Sequence, residues 1–377
     1  MKTLLLIIRW IVGLLFIFSG LVKANDPLGL SYKMQEFFDV WGISGLNNYT
    51  LALSLLMNIF EVLAGVAVII GWRMKLFSWL LLLLIIFFSF LTGYAALSGK
   101  IKTCGCFGDC LPLTPTTSFI KDIVLLLLII ILFANRKKIN SALTAPKALL
   151  LLGLCIIGVA FFQKYVLDYL PVKDCLPFRT GANIVQNMKV MPGQNQVTAL
   201  TFKYKKNGKE MEFTADNLPA DLDSTYEFID RYDKILKPGI APKIVDFNLV
   251  NLGGRDTTLY ILTQPNYYVM LFSNDLSYYE KWYNEDFDSI MAMLDAKHLP
   301  FFLVTSDREN AIKNFGKQQN INILVCDGTV IKTAARANPT YFIMQMANVK
   351  GKYSNEDVDE VKKMIMAAPP NNNFLNE

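Results

Sequence analysis

The chain has 377 residues, 53% of them hydrophobic and 18% charged, with a formal net charge of +5 and one histidine, His298. That balance is too apolar for a soluble protein of this length and describes a membrane protein. The basic residues collect in short loops beside apolar runs, so they read as orientation signals and not as a nucleic-acid surface; the one histidine reads as a connector residue, so neither Ser-His-Asp chemistry nor His-based metal hydrolysis is expected.

Five segments are long and apolar enough to cross a bilayer of about 30 Å, which takes about 20 helical residues: 4–22, 51–72, 76–97, 119–134 and 148–166. Arg73 and Lys75 mark the second connection, and Arg136, Lys137, Lys138 and Lys147 the fourth. Such basic turns stay cytoplasmic. Alternation then puts the N-terminus inside, and places residues 23–50, the loop between spans three and four and everything beyond span five outside. The expectation is a multi-pass protein of the bacterial inner (cytoplasmic) membrane with a periplasmic C-terminal domain. A rival reading takes the first span as a signal peptide cleaved near Ala24, which leaves the remaining topology unchanged.

Arg9 and Glu61 lie inside spans, where charge is costly and normally finds a partner. Their depths allow a pair, and Asn58, one turn before Glu61, shares its helix face. Three readings follow: a structural pin between two helices, a proton- or quinone-associated site, or Arg9 reaching the interface with no partner. Quinone is the one cofactor that enters.

Between spans three and four lies KIKTCGCFGDCLPLTPTTS, with Cys104, Cys106 and Cys110 in seven residues. On the external side disulfides persist, and Cys175, just past span five, shares that side. A bond between Cys104 and Cys106 would close a small strained ring of the labile kind. Lys100, Lys102, Lys121 and the start of span four, with Thr116, Thr117 and Ser118 as caps, all favour thiolate. The alternative is a structural clip in which Cys106 or Cys110 bonds Cys175. No paired C-x-x-C knuckles are present, so zinc is disfavoured. Cys155 reads as an apolar filler and Cys326 as a buried thiol. Five external cysteines cannot all pair, which implies one free thiol or a partner protein.

RWIVGLLFIFSGLVKANDPLG at residues 9–29, Glu61 followed by Gly65 and Gly71, and CGCFGD at 104–109 resemble the DoxX superfamily. More closely they resemble its MauE (methylamine utilisation) branch, a group of small helical membrane proteins. The resemblance covers residues 1–140 as a four-helix unit. It implies a role in extracytoplasmic maturation of disulfide-rich proteins or in thiol and quinone redox traffic, and it matches Cys104 and Cys106 to the family's cysteine pair; Cys110 lies outside that pattern.

Residues 141–170 hold the fifth helix and 171–239 a connecting region. There VTALTFKYKKNGKEMEFTA alternates with period two around Asn207-Gly208, the dipeptide of a type I′ hairpin. From 240 to 368 the pattern is α/β: strand 268–273, a helical stripe from Tyr279 to Leu294, strands 301–305, 321–326 and 341–346, and a closing helix 355–367. YVMLFSNDLSYYEKW and RANPTYFIM resemble the strand-to-helix junction and cis-proline loop of a thioredoxin-like domain. The junction lacks C-x-x-C, so the resemblance implies a redox-inactive domain that binds a client beside Asn338 and Pro339. His298 reads as a connector residue, LGGRD at 252–256 as a turn, and 369–377 as a disordered tail.

These readings converge on a membrane accessory protein in which Cys104, Cys106 and Cys110 handle electrons or disulfides while the external domain docks an extracytoplasmic client or thiol partner. A non-enzymatic scaffold stapled through Cys175, and a quinone-linked oxidoreductase subunit using Arg9 and Glu61, are the competing classes.

Overall fold

A computed structural model describes residues 2–371, except 99–100, 102–104, 106, 191–196, 207–208, 215–216, 220–224 and 238–241. The first six helices are α1 (Lys2–Ala24), α2 (Pro27–Val40), α3 (Thr50–Ile70), α4 (Met74–Ser98), α5 (Pro115–Ala134) and α6 (Ala145–Tyr169). All but α2 are long and apolar enough to span a membrane, matching the five expected segments. Hydrocarbon offers backbone groups no partner, so continuous apolar sequence of this length closes its hydrogen bonds within a helix.

Two local details depart from expectation. Helix α5 starts at Pro115, because Thr114, and not Thr116, Thr117 or Ser118, is the cap; its hydroxyl accepts from the Thr117 N–H at 3.3 Å. Helix α2 occupies a stretch expected only as an external connection. Asp26 caps it, accepting from Gly29 N–H at 2.9 Å, and Pro27 sits in its first turn, a start signal readable in sequence.

α1 and α3 run antiparallel in close contact. A Cβ on Gly65 would lie 2.6 Å from the Gly13 carbonyl oxygen, and one on Gly13 2.8 Å from that of Gly65. Small residues let backbones approach in this way where lipid supplies no hydrophobic drive. The turn after α3 and the connection before α6 meet at one end of the bundle, where Ala142 N–H donates to the Ile70 carbonyl at 2.8 Å. The end of α1, helix α2, the described part of the cysteine loop and the end of α6 share the opposite end, from which the rest of the chain leaves.

After the short α7 (Ile184–Asn187), β1 (Val197–Lys206), β2 (Lys209–Thr214) and β3 (Glu227–Lys237) form an antiparallel sheet in the order β2-β1-β3. The expected β1–β2 hairpin is present, closing with Lys206 opposite Lys209; its Asn207-Gly208 turn lies outside the described residues. The third strand was not expected.

A second sheet is built from β4 (Val250–Asn251), α8 (Thr258–Leu262), β5 (Tyr268–Phe272), α9 (Glu285–Ala296), β6 (Phe301–Thr305), α10 (Arg308–Phe315), β7 (Asn322–Val325), α11 (Gly328–Ala334), β8 (Thr340–Gln345), β9 (Asn348–Ser354) and α12 (Val358–Ala367). Its order is β4-β7-β6-β5-β8-β9, with β5, β6 and β7 parallel and the other neighbours antiparallel. Every residue of β5 is buried, as a strand covered on both faces requires. Val269 and Leu271 face the layer of α9, α10 and α12; Tyr268, Met270 and Phe272 face α8, α11 and the segment around Phe178 and Ile184.

The helix expected from Tyr279 begins at Glu285, because Asn284 accepts from the N–H groups of Asp286 and Phe287. Trp282, ahead of it, instead stacks on Phe315 at 5.8 Å between ring centroids. His298 sits in the turn after α9 in a left-handed conformation, φ 55°, as a connector. Residues 369–371 are not a loose tail: Asn371 N–H donates to the Lys297 carbonyl at 2.9 Å. Residues 372–377 lie outside the described residues.

Gly65→Val should push α1 from α3 and cost about 1–3 kcal/mol, read as a lowered thermal midpoint in detergent. Gly158→Val in α6, where a Cβ meets nothing within 4 Å, is expected to be silent.

Candidate functional site

Seven or eight residues separate Glu61 from the last turn of α3, a distance of about 11 Å along the axis. Arg9 lies level with that last turn, since Gly13 faces Gly65. Its guanidinium donates to the carbonyls of Val68 (3.0 Å from Nε) and Ile69. These carbonyls lie in the last turn of α3, that of Val68 also accepting from the capping Gly71 N–H at 3.1 Å, and a cation there is favoured by both hydrogen bonding and the helix dipole. The expected Arg9–Glu61 pair is therefore replaced. Glu61 instead pairs with Lys23, from the far end of α1, with both side chains almost wholly buried, 1% and 3% exposed. The Lys23 ammonium also lies 5.1 Å above the Phe88 ring.

Asn58 does not join that pair. Its Nδ2 donates to Gln163 Oε1 at 3.0 Å, and Gln163 in turn donates to the Leu55 carbonyl, which fastens α6 to α3. A third buried polar group, Asp122, was missed by sequence reading. It pairs with Lys121 at 2.9 Å and accepts from the Thr92 hydroxyl at 3.0 Å. The only signal was its position one turn into an apolar run, where a carboxylate must have partners.

The cysteine loop closes over this region. Cys104 and Cys106 lie outside the described residues; Gly105 between them is described. Gly105 and Gly108 have φ of 67° and 57°, in the left-handed region that favours glycine, which explains both glycines of C-G-C-F-G. Ile101 is buried. Phe107 packs on Phe18 at 5.7 Å and receives the Lys121 ammonium on its face at 4.8 Å. Cys110 forms a disulfide with Cys175, Cα–Cα 4.9 Å, joining the loop to the chain just beyond α6. Among the described residues the cysteines outside that bond are Cys155, half-buried in α6, and Cys326. Cys326 is buried, and burial pushes its thiol up to about 12.

A cavity of ≈ 220 Å³ lies beneath the loop, between α1, α2, α3 and α4. Gly105 forms part of its wall, with Ser19, Lys23, Lys33, Thr92 and Lys121 at polar positions and Phe37, Trp41, Met57 and Phe88 among the apolar ones.

The soluble region is tied to the same end of the bundle. Arg336, 4% exposed, bonds Asp26 and Asp109 at 2.9 and 2.8 Å and lies 5.4 Å over the Tyr32 ring. Burial raises the Tyr32 phenol above its usual range. Lys352 on β9 pairs with Asp174 at 2.6 Å. Asn338, exposed, holds the turn after β5: its Oδ1 accepts from Ser273 Oγ at 3.0 Å and Asn274 N–H at 2.9 Å, while its Nδ2 donates to the Asp275 carbonyl at 2.8 Å. Pro339, joined to Asn338 by a cis peptide, is buried. Arg336 and Lys352 gave no sequence signal, because their partners are more than a hundred residues away.

Residues 1–135 match the family model of methylamine utilisation protein MauE, and residues 198–238 match a domain of unknown function, DUF8463. No curated protein and no solved structure matches the chain. With five membrane-length helices, the chain is a multi-pass membrane protein that is MauE-like over its first 135 residues.

Glu61→Ala leaves Lys23 buried without its carboxylate and should cost about 3–5 kcal/mol; the Lys23→Met, Glu61→Leu double variant should recover most of it in the same detergent unfolding assay. Arg336→Met strands two carboxylates. Hydrogen exchange across residues 27–40 and 328–340 should accelerate, and more so after the Cys110–Cys175 bond is reduced.

Proposed function

We propose that this chain handles thiols and disulfides at the outer face of a bacterial inner membrane, supporting maturation of extracytoplasmic proteins. The observation that carries the reading is the placement of Gly105. The residue between Cys104 and Cys106 forms the wall of a membrane cavity, while Phe107, Asp109 and Cys110 after it are each anchored. Cys110 and Cys175 supply the structural bond. Cys326 is buried and poorly acidic, so Cys104 and Cys106 remain as the exchanging pair, alternating between dithiol and disulfide with release or uptake of two electrons and two protons.

Sidedness follows from the basic turns. Arg73, Lys75, Arg136, Lys137 and Lys138 collect at the bundle end opposite the cysteine loop, which supports a cytoplasmic N-terminus and a periplasmic soluble region. The order β7-β6-β5-β8-β9, with β8 antiparallel after a cis-proline loop, supports a thioredoxin-like domain over 240–368. It has no cysteine at the β5 junction, so it positions and does not exchange. The cis-proline loop expected to hold a client reaches the chain's own membrane unit through Arg336. The domain acts as a lid on the cysteine loop, and a client thiol approaches at the rim between them.

The scaffold reading is favoured by one observation, the Cys110–Cys175 bond itself. Thiol trapping with mass spectrometry separates the two. Cys104 and Cys106 are expected to shift between reduced and oxidised forms with the redox poise of the medium while Cys110–Cys175 stays intact; an unchanging state for both would leave only the scaffold. In the same experiment Cys326 should resist maleimide at pH 8 until the protein unfolds, because a thiol near 12 carries almost no thiolate there.

A further inference from the structure

We infer that the groove between α3 and α6 binds a phospholipid whose head group carries a primary ammonium, of the phosphatidylethanolamine class. The inference stands apart from the thiol reading: α6 lies beyond the residues matched to MauE, and the described lining of the groove comes from α3 and α6 alone. Its volume, ≈ 300 Å³, is at the lower bound of about 300–1,000 Å³ for sites that enclose a drug-sized ligand. That is room for part of a lipid, whose remaining acyl chain stays in the bilayer. Residues 160, 163, 164, 167 and 168 of α6 fall at the spacing of a single helix face, and Leu55 and Ile59 stand one turn apart on α3.

Depth along the groove orders its chemistry. α6 runs toward the end of the bundle where the soluble region is attached, so at about 1.5 Å per residue Lys164 lies about 6 Å deeper than Asp168, and Ala160 about 6 Å deeper again. Tyr165 and Tyr169, exposed and stacked at 5.0 Å between ring centroids, mark the membrane–water interface at that level. Read inward, the groove offers a carboxylate, an ammonium, the Gln163 amide and then apolar walls from Ile59 and Ala160. A phosphatidylethanolamine presents ammonium, phosphate, ester carbonyls and acyl chain in the matching order.

Lys164 and Asp168 pair at 2.8 Å, with the lysine side chain 75% exposed. An exposed pair of this kind is worth little, so each partner can turn to a lipid group, Lys164 to the phosphate and Asp168 to the ammonium. Glu356, in the short helical turn Asn355–Asp357 that packs on α6, lies within electrostatic range of Lys164 and adds a second carboxylate at the outer end. Two carboxylates beside one lysine favour a head group with its own cation over an anionic one. Gln163, buried, donates one amide N–H to the Leu55 carbonyl at 3.3 Å; an amide has two, and an ester carbonyl in the groove accepts the second. Gln163 also fastens α6 to α3 through Asn58, so a lipid here stiffens the joint between the MauE-like unit and the helix that carries the soluble region.

The test uses the full-length protein, stripped of lipid in detergent. Dioleoyl phosphatidylethanolamine, phosphatidylcholine and phosphatidylglycerol are titrated separately, and one-to-one adducts are read by native mass spectrometry. One saturable site is expected, filled by the ethanolamine lipid at a concentration roughly tenfold lower than by either of the others. The Lys164→Asp, Asp168→Lys exchange keeps an ion pair on α6 but reverses its order, so it should remove that preference and leave the lipid-free thermal midpoint unchanged. Ala160→Phe, which fills the groove, should abolish the site, whereas Leu150→Phe, at an exposed position deeper on α6, should not. Equal affinity for the three lipids, non-saturable adducts, or a preference that survives the exchange would overturn the proposal. A lipid-independent dimer broken by Ala160→Phe would also overturn it, by assigning the groove to a second copy. Should the variants fail to fold, cross-linking of a phosphatidylethanolamine with a diazirine in its acyl chain decides: labels that saturate within 55–59 or 160–168 support the site, and labels spread over the other helices refute it.

Discussion

Two opposite charges buried in a region of low dielectric have to find each other, and the Lys23–Glu61 pair is the constraint around which the membrane unit is arranged. Removing either partner alone leaves an uncompensated ion, which is far costlier than the pair itself is stabilising. Forming it demands that the end of α1 lie against the middle of α3. The glycines make that approach sterically allowed, and Arg9, far down the same helix, seals the last carbonyls of α3. Gly13, Gly65, Arg9, Lys23 and Glu61 therefore act as one device that sets the register of two antiparallel helices.

Once that register is set, Lys23 and Asp26 fall at the same end of α1 with separate tasks. Lys23 turns inward to the carboxylate and to Phe88. Asp26 turns outward, where it caps α2 and accepts Arg336. The cysteine loop lies between these two levels, held by Phe107 against the helices, by Asp109 to the soluble region and by the Cys110–Cys175 bond to the end of α6. A loop fixed at these points keeps Gly105 in the wall of the cavity. Ion pairs and a disulfide suit such a junction, because each fixes position with few residues where, among the described residues, no hydrophobic cluster joins the two regions.

The soluble region contributes rigidity more than chemistry. Its central strand β5 is buried on both faces, and the loop carrying Asn338 and Pro339 is committed to the turn after that strand. Arg336 extends from the same loop, so the stiffest part of the sheet is coupled directly to Asp26 and Asp109. This arrangement fixes the soluble region to the described part of the loop through Asp109 and to the end of α1 through Asp26.

By itself the sequence determined the five membrane helices, because hydrocarbon leaves an uninterrupted apolar run no alternative to a helix. It also determined the buried strands of the α/β region, since the period of an apolar pattern is a local property. It marked Glu61, Asn58 and Arg9 as residues that must be satisfied. Only the tertiary structure decided by whom. Arg9 went to the end of a helix and Glu61 to Lys23, because a partner is chosen by the register of two helices, and register depends on where glycines meet. The choice of Cys110 over Cys106 for Cys175, the grip of Arg336 on two distant aspartates, and the edge strands β4 and β9 likewise depend on contacts between residues remote in the chain. No local pattern encodes these, because the energy that selects them exists only after the elements have packed.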